Sequence, residues 1–225
     1  MTQLLRVQNF FLSKDGFGAG VGQSLEQPFG HAAPQGDNTP NLPYDLGSWA
    51  FATASWVGRT DGGGSRGLDD YFIRDYPRNI GAEIMGRRKF GPQNGPWPDD
   101  GWRGWWGEEP PFKTPCFILT HHPREPMVFA NGTSFHFIDA DPAEALRRAN
   151  EAADGKDVRI GGGPSTIRQF LRDDLVDFMH VVVVPITLGR GVRLWDDVVG
   201  IEDRFTIESV SSSSGLTHQL WNRKR

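Results

Sequence analysis

A glycine-rich turn between a strand and a helix is the first segment whose residue types suit a ligand. The segment DVRIGGGPSTIRQFL (157–171) places three glycines after an apolar strand and opens a helix at Pro164. Glycines let the backbone approach a ligand, and the N–H groups at a helix start attract an anion. The spacing matches neither the Rossmann fingerprint nor the P-loop, so a plain strand-to-helix turn is the alternative. The residues that would contact a phosphate or pyrophosphate are Gly161, Gly162, Gly163, Ser165 and Thr166.

Three cations follow a second apolar strand. Gly86 precedes Arg87, Arg88 and Lys89, directly after the strand predicted at 79–85. Cations close to a helix start are disfavoured by the helix dipole, so an anionic partner would offset them. The alternative is a solvated basic turn, which is how most charge runs are accommodated.

A third strand, at 115–120, ends at Thr120, His121 and His122, with Arg124 close behind. A threonine hydroxyl and an arginine fork suit the phosphate contacts of an adenosine nucleotide. Adjacent residues on an extended segment point to opposite sides, and neither a Glu nor a third His lies nearby in the sequence. We therefore predict no metal site at this pair of histidines.

These three strand ends are expected to meet. Ligands of open α/β sheets bind at the carboxyl ends of the strands, so the three segments together predict a dinucleotide groove. Several cations, with no acid placed to hold a ribose 2′-hydroxyl, favour NADP over NAD as the cofactor.

Strands that alternate with helices must position these segments. Apolar runs predict strands at 4–12, 79–85, 115–120, 127–130, 134–138, 157–160 and 178–184, helices at 68–76, 142–153 and 164–171, and a hairpin at 204–210 and 216–221. This alternation predicts an α/β fold in three layers, with a mostly parallel central sheet and an antiparallel C-terminal edge. We predict a single domain over residues 1–225, with a long Gly- and Pro-rich loop insertion at about 18–67.

The composition excludes several function classes. The chain has 225 residues with 24 Lys and Arg against 28 Asp and Glu, a balance that lacks the basic character of a nucleic-acid binder. Cys116 is the one cysteine, which excludes an internal disulfide and a Cys-based zinc cluster. The longest aliphatic run, 181–186, is too short to span a bilayer, and the N-terminus lacks a secretory pattern. We expect a cytoplasmic protein without a nucleic-acid or membrane partner.

The order of the motifs resembles that of a known superfamily. The motifs are LSKDGF (12–17), IMGRRKF (84–90), CFILTHHP (116–123), DVRIGGGPSTIRQFL (157–171) and LVDFMHVVVVPITLGRGVRLW (175–195). They resemble the dihydrofolate reductase-like superfamily, and most of all the reductase (C-terminal) domain of the bifunctional riboflavin biosynthesis deaminase-reductase. The sequence has no His-x-Glu with Pro-Cys-x-x-Cys, the signature of the zinc deaminase half, so we expect a stand-alone reductase domain.

The resemblance implies NADPH as the cofactor and assigns residues to it. In that family the Gly-Arg segment and the following strand hold the 2′-phosphate and adenosine side, and the glycine turn with the helix start holds the pyrophosphate. The first group corresponds here to Gly86, Arg87, Arg88, Leu119, Thr120 and His121. The second group corresponds to the glycine-turn residues given above. Members of the family are commonly homodimers, so a homodimer is expected.

The proton donor for hydride transfer is predicted among three acids. Dihydrofolate reductases use a buried carboxylate on the helix before the Met-Gly-Arg strand, and Asp70, with Asp69 as its neighbour, has the best position for this role. Asp45 lies in a more similar local motif but farther from that strand. Asp15, in the Lys-Asp-Gly turn, corresponds to a position that faces the nicotinamide or substrate in the family. The alternatives are a helix-start acid for Asp70, its neighbour Asp69 and Asp45, and a plain turn residue for Asp15.

The loop at 91–115 is rich in tryptophan. Trp97, Trp102, Trp105 and Trp106 could stack on a flat substrate, or they could attach a Gly- and Pro-rich loop to the body of the protein. We favour attachment for most of them.

Two functions remain in competition at this point. The first is an NADPH-dependent oxidoreductase that transfers a hydride to a small heterocyclic substrate of the pterin or 5-amino-6-ribosylaminouracil type. The alternative is a non-catalytic NADP-binding or dimeric regulatory module. A hydrolase is disfavoured, because the sequence has no Gly-x-Ser-x-Gly elbow.

Overall fold

The computed structural model describes residues 2–25, 30, 46–56, 61–98 and 101–224. In chain order, the strands are β1 (Leu5–Ser13), β2 (Phe17–Ala19), β3 (Ile80–Gly86), β4 (Pro115–Leu119), β5 (Met127–Val128), β6 (Ser134–Ile138), β7 (Asp157–Ile160), β8 (Phe178–Val184), β9 (Val192–Arg193), β10 (Phe205–Ser211) and β11 (Thr217–Arg223). The helices are α1 (Ser48–Phe51), α2 (Leu68–Asp75), α3 (Arg87–Phe90), α4 (Pro142–Ala152) and α5 (Pro164–Arg172), with a short 3-10 helix at Ile201–Arg204.

The large sheet confirms the predicted architecture. Its nine strands follow the hydrogen-bonded order β10-β11-β8-β1-β7-β3-β4-β6-β5. Parallel pairs join β1 to β7, β7 to β3, β3 to β4 and β4 to β6. The C-terminal hairpin β10–β11 is antiparallel, as predicted, and β5 adds a second antiparallel edge that the sequence did not indicate.

The predicted insertion at 18–67 contains regular structure in its described part. Helix α1 lies within it, and β2 pairs with the distant strand β9 in a two-stranded sheet. Short elements of this kind escape a pattern search because two to four residues carry too little periodicity.

The chain divides into two compact units. Unit 1 comprises Met1–Val7 and Asn79–Phe178, and unit 2 comprises Gln8–Arg78 and Met179–Arg225. The core of unit 2 contains Phe17, Leu46, Trp49, Ala50, Ile73, Val182, Val184, Ile186, Leu188 and Leu216. The single domain over residues 1–225 stays a prediction.

The core of unit 1 joins strand residues to the tryptophan loop. The buried side chains of this core are Met85, Phe90, Cys116, Ile118, Phe129, Phe135 and Phe137. Trp97, Trp102 and Trp106 pack against this cluster. These three tryptophans therefore attach the loop at 91–115 to unit 1, as we favoured.

Unit 1 also buries an ion pair. Glu83 on β3 and Arg159 on β7 are opposite each other in the parallel register, with side chains 0% and 3% exposed. Arg159 donates a hydrogen bond to Glu83 Oε1. Each side chain offsets the charge of the other, which matters because transferring an unpaired charge from water into the protein interior is costly.

Local signals explain where helix α4 begins. Asp141 accepts a hydrogen bond from the Glu144 backbone N–H at 2.9 Å, and Pro142 occupies the first turn. Both features are typical helix starts. Among the described residues, no helix is long and apolar enough to cross a membrane.

Candidate functional site

The glycine turn is tied to the end of the neighbouring strand. The Gly86 N–H donates to Gly162 O at 2.9 Å, and the Gly161 N–H donates to Ile84 O at 2.9 Å. Gly162 has φ +109°, a left-handed conformation that favours glycine, and the peptide bond between Gly162 and Gly163 is cis. The carboxyl ends of β7 and β3 thus lie side by side.

The start of α5 remains available to a ligand. Gly163 is its N-cap, and no side chain caps the helix. A Cβ built on Gly163 would meet nothing within 4 Å, so open space lies beside this backbone. In this first turn Pro164 has no N–H and the Thr166 N–H donates to Gly163 O at 3.1 Å, so the Ser165 N–H is the backbone donor that suits an anion beside this open space.

The two hydroxyl residues predicted for the pyrophosphate have different surroundings. Ser165 is exposed on the first turn of α5, whereas Thr166 is buried. A Cβ built on Gly86 would overlap Thr166 Oγ1, so the absence of a side chain at Gly86 lets this hydroxyl pack against the strand end.

Arg87 and Arg88 point to different partners. The Arg87 guanidinium lies 3.7 Å from the centre of the Trp97 ring, and Nη1 donates to Gly95 O. Burial lowers the pKa of Arg87 from its ordinary value. Arg88 is exposed, and its Nη2 donates to Asn94 Oδ1 at 3.3 Å. Of the two predicted phosphate ligands, Arg88 is exposed and Arg87 is half-buried.

The end of β4 carries the remaining residues of unit 1 that the sequence predicted to contact the cofactor. Leu119 lies opposite Gly86 in the parallel register, so the ends of β3 and β4 are adjacent. Thr120 is buried and its Oγ1 accepts from the His122 N–H at 3.1 Å. His121 is exposed, with Nδ1 at 3.1 Å from Asp139 Oδ1.

We name this group the strand-end site. It brings together the carboxyl ends of β3, β4 and β7 and the start of α5, which the sequence predicted to meet. Its residues are Gly86, Arg87, Arg88, Leu119, Thr120, His121, Gly161, Gly162, Gly163, Ser165 and Thr166.

Asp15, in unit 2, has a carboxylate that is engaged by neighbouring groups. Oδ1 accepts from Ser13 Oγ at 2.6 Å and from the Leu188 N–H at 3.1 Å, and Oδ2 accepts from the Gly189 N–H at 2.7 Å. Desolvation alone would raise the pKa of Asp15, but these hydrogen bonds outweigh it and lower the pKa. Asp15 therefore fastens the turn after β1 to the segment after β8.

Asp70 is the buried acid on α2. Its side chain is 5% exposed, and Oδ1 accepts from the Ser55 N–H at 2.7 Å. A buried carboxylate on this helix is what the resemblance predicted. Asp45 lies outside the described residues.

Asp69 belongs to a chain of polar groups that the sequence did not indicate. Asp69 Oδ1 lies 2.7 Å from His218 Nε2, and His218 Nδ1 lies 3.0 Å from His180 Nε2. Ser214 Oγ donates to Asp69 Oδ2 at 2.6 Å. Phe72 stacks on both imidazole rings. A histidine within the apolar strand β8 was a signal for His180, whereas the mostly polar strand β11 gave none for His218.

The pKa values at both ends of this chain of polar groups are lowered, for different reasons. Burial, with the charge of His218, lowers the pKa of His180 to about 3. Desolvation alone would raise the pKa of Asp69, but hydrogen bonds from His218, Ser214 and Ser212 outweigh it and lower the pKa. Neutral His180 and ionised Asp69 are thus the favoured states near neutral pH.

The described ranges hold no candidate metal site. There, no cluster of three or more His, Cys, Asp or Glu side chains could hold a metal ion.

The comparison with family models decides the family. Residues 50–215 match the model of the RibD C-terminal domain. This chain belongs to the RibD C-terminal domain family. The resemblance inferred from the motif order is confirmed.

Solved structures share the fold of this family member at low sequence identity. A putative riboflavin biosynthesis protein from Shewanella sp. PV-4 is 18% identical, with a TM-score of 0.55 and full coverage of both chains. The dihydrofolate reductase of Enterococcus faecalis, solved with NADP(H), is 11% identical, with a TM-score of 0.51 over 99% of this chain and 97% of that one. The diaminohydroxyphosphoribosylaminopyrimidine deaminase/5-amino-6-(5-phosphoribosylamino)uracil reductase of Thermotoga maritima is 12% identical, with a TM-score of 0.52 over 99% of this chain and 57% of that one. These likenesses confirm the dihydrofolate reductase-like fold.

Proposed function

We propose that this chain is an NADPH-dependent reductase that transfers a hydride to a small heterocyclic substrate of the pterin or 5-amino-6-ribosylaminouracil type. The family supports an oxidoreductase, and two of the structural neighbours are named as reductases of such compounds. The observation that carries the proposal is the strand-end site, where the glycine turn is hydrogen-bonded to Gly86 beside an exposed arginine.

The residues of the strand-end site fit a phosphorylated nicotinamide cofactor. The open space beside Gly163 and the uncapped first turn of α5 would take the pyrophosphate. The Arg88 guanidinium would take the 2′-phosphate, because it is accessible whereas Arg87 is stacked on Trp97. The cofactor would supply the hydride, and the chain would supply binding and orientation.

We assign the proton to Asp70. Its carboxyl group is buried and held by the Ser55 N–H, a setting that fixes its orientation. Asp15 is a less suitable donor because three hydrogen bonds already occupy its carboxylate. We assign it a role in loop positioning.

The cofactor proposal is tested with two arginine variants and two cofactors. Arg88→Gln is expected to weaken NADPH binding about tenfold or more, the effect of losing a charge-assisted contact, and to leave NADH binding unchanged. Titration of tryptophan fluorescence measures both affinities. Equal losses for the two cofactors, or no NADPH binding by the wild type, would contradict the proposal. A selective loss in Arg87→Gln alone would transfer the role to Arg87.

Turnover separates the enzyme from a module that only binds the cofactor. Loss of NADPH absorbance with dihydropterin or ribosylaminouracil substrates is the expected result. Cofactor binding without turnover on either class would favour the regulatory module.

We also propose that the chain forms a homodimer, because members of the family that it resembles are commonly homodimers. Sedimentation equilibrium should give twice the mass of 25.1 kDa. A monomer at micromolar concentration would contradict this part of the proposal.

A further inference from the structure

Polar side chains fasten helix α2 to the C-terminal hairpin within unit 2. His218 Nε2 lies 2.7 Å from Asp69 Oδ1, and Ser214 Oγ donates to Asp69 Oδ2 at 2.6 Å. Both oxygens of this carboxylate are thus engaged, one from β11 and one from the turn that precedes it. The His218 side chain is buried and that of Asp69 is half-buried. The proposed function gives no role to these three side chains.

The hydrogen bond between Asp69 and His218 has a defined direction. Desolvation would raise the pKa of Asp69, but its hydrogen bonds outweigh desolvation and lower the pKa, so the carboxylate is ionised near neutral pH. An ionised carboxylate can only accept, and His218 Nε2 is therefore the donor. A hydrogen bond to a charged acceptor is about twice as strong as one between neutral groups. Asp69 is thus a firm anchor for α2.

A second contact lies on the same face of α2. Phe72 follows Asp69 by three positions, and residues three apart lie on one face of a helix. The Phe72 ring stacks on His218, with 4.6 Å between centroids, and on His180, with 4.1 Å. Asn9 Nδ2 donates to Phe72 O at 3.1 Å. Together these contacts fix the rotation of α2 about its own axis.

The direction of the Asp70 carboxyl group depends on that rotation. Successive residues of an α-helix point about 100° apart, so holding Asp69 determines where Asp70 points. Helix α2 has eight residues, and no side chain caps it at Gly67. A helix this short is not stable by itself, and tertiary contacts must orient it. The bond from the Ser55 N–H to Asp70 Oδ1, at 2.7 Å, can form only while α2 keeps this orientation.

We propose that Asp69 is a positioning residue for proton transfer by Asp70, and that His218 and Ser214 hold it in place. Asp69 acts through the orientation of α2 and not on the reacting atoms. It can have this role only if Asp70 supplies the proton, so the assignment rests on the proposed function. The effect is expected to be large, because a misplacement of about 1 Å can lower a rate about a hundredfold.

A double-mutant cycle between Asp69→Ala and Asp70→Asn tests this role by single-turnover kinetics. Asp69→Ala should lower the rate of reduction about tenfold or more and leave NADPH affinity unchanged. In the Asp70→Asn background the same change should have little further effect, because the group that Asp69 positions is already absent. A loss of rate that is additive in the double variant would overturn the proposal, since it would show that Asp69 acts independently of Asp70.

The amide of Ser55 reports the position of Asp70 without any turnover. Asp69→Ala and His218→Leu should each speed hydrogen exchange at this amide about tenfold or more. His218→Gln should retain most of the protection, because a glutamine amide can still donate to Asp69. Asp75→Ala, at another acid of the same helix, is the control and should leave the exchange unchanged. Unchanged exchange in both Asp69→Ala and His218→Leu would overturn the proposal.

Ser214→Ala provides a milder variant should the changes at Asp69 or His218 prevent folding. It removes one hydrogen bond to Asp69 at a half-buried position of the hairpin turn. Exchange at Ser55 should rise several-fold, and unaltered exchange in this folded variant would count against the proposal. A wild type that binds NADPH but reduces neither substrate class would overturn the proposed function and this role with it. Turnover by the wild type, with additive rates in the cycle, would overturn the role of Asp69 alone.

Discussion

Asp69 and Asp70 are neighbours on α2, yet their carboxylates have separate tasks. Asp69 faces His218 and Ser214, whereas Asp70 is buried against the Ser55 N–H. Asp70→Asn keeps the shape of the side chain and the acceptor for Ser55 but removes the proton. We expect kcat to fall about a hundredfold or more with NADPH affinity unchanged.

The acid assignment has a direct readout in the pH profile. The pH profile of the single-turnover rate should show one ionisation fewer in Asp70→Asn than in the wild type. Asp75→Asn, a change at the half-buried last residue of the same helix, is the control and should leave the profile unaltered. A similar loss of rate in both variants would point to a structural effect on α2.

His180 makes stability depend on pH. Its pKa is about 3 in the folded chain against an ordinary value of 6.5, so the unfolded chain binds the extra proton. The free energy of unfolding should therefore fall by up to about 1.4 kcal/mol per pH unit as the pH drops below about 6.5. His180→Gln should flatten this slope between about pH 6 and pH 5, where most carboxylates remain ionised.

Urea unfolding at a series of pH values measures the slope. Ser209→Ala, at an exposed position of β10 without a titratable group, is the control and should retain the wild-type slope. Identical slopes in all three proteins would show that protonation of His180 does not couple to unfolding.

At the scale of elements, Asp15 joins two loops within unit 2. It connects the turn after β1 to Leu188 and Gly189, 173 and 174 positions later in the chain. Asp15→Ala should speed hydrogen exchange at those two amides by about tenfold or more, since each loses a charged acceptor. The Gly215 amide, bonded to Ser212 O in the hairpin turn, serves as an internal reference and should not change. Unaltered protection at Leu188 and Gly189 would refute this role.

The two glycines that frame the strand-end site should respond differently to alanine. A methyl group at Gly86 would overlap Thr166 Oγ1, so Gly86→Ala should destabilise the fold by about 1–3 kcal/mol. Gly163 has φ −80° and open space beside it, so Gly163→Ala should preserve stability and weaken NADPH binding by occupying the ligand's approach. Thermal unfolding and cofactor titration on both variants measure the contrast. Equal stability of the two variants would contradict this description of the turn.

At the scale of the whole molecule, cofactor binding should stabilise the folded chain. NADPH at a hundred times its Kd is expected to add about 2.7 kcal/mol to the free energy of unfolding. For a chain of this length the thermal midpoint should rise by roughly 5–10 °C. NADH at the same concentration should give a smaller shift, because it lacks the 2′-phosphate. Equal shifts would indicate that the chain does not discriminate between the cofactors.

Much of the architecture was predictable from periodicity and turn residues. The strands that carry the three ligand motifs, and helices α2, α4 and α5, appear within about two residues of their expected limits. Their apolar runs are long enough to determine the element type, and Pro or Gly marks their ends. The register that aligns Gly86 with Leu119 follows from parallel pairing of such strands.

The directions of individual side chains were not predictable. Arg87 and Arg88 are equivalent in sequence, and the difference between them comes from Trp97, which packs from a loop ten residues later. His180 and His218 meet across 38 positions, and Asp69 lies 149 positions from His218. No local pattern reports contacts of that separation, because they depend on how strands and helices pack.

The ion pair of Glu83 and Arg159 has a consequence for protein engineering. Two charged side chains face each other in register inside a sheet, and such pairs can often be exchanged together for apolar residues of similar volume with a gain of about 1–4 kcal/mol. Replacing either partner alone would instead leave a lone charge in the interior. A more heat-tolerant variant is therefore best sought by replacing both residues at once. Replacing them one at a time would pass through a less stable single variant.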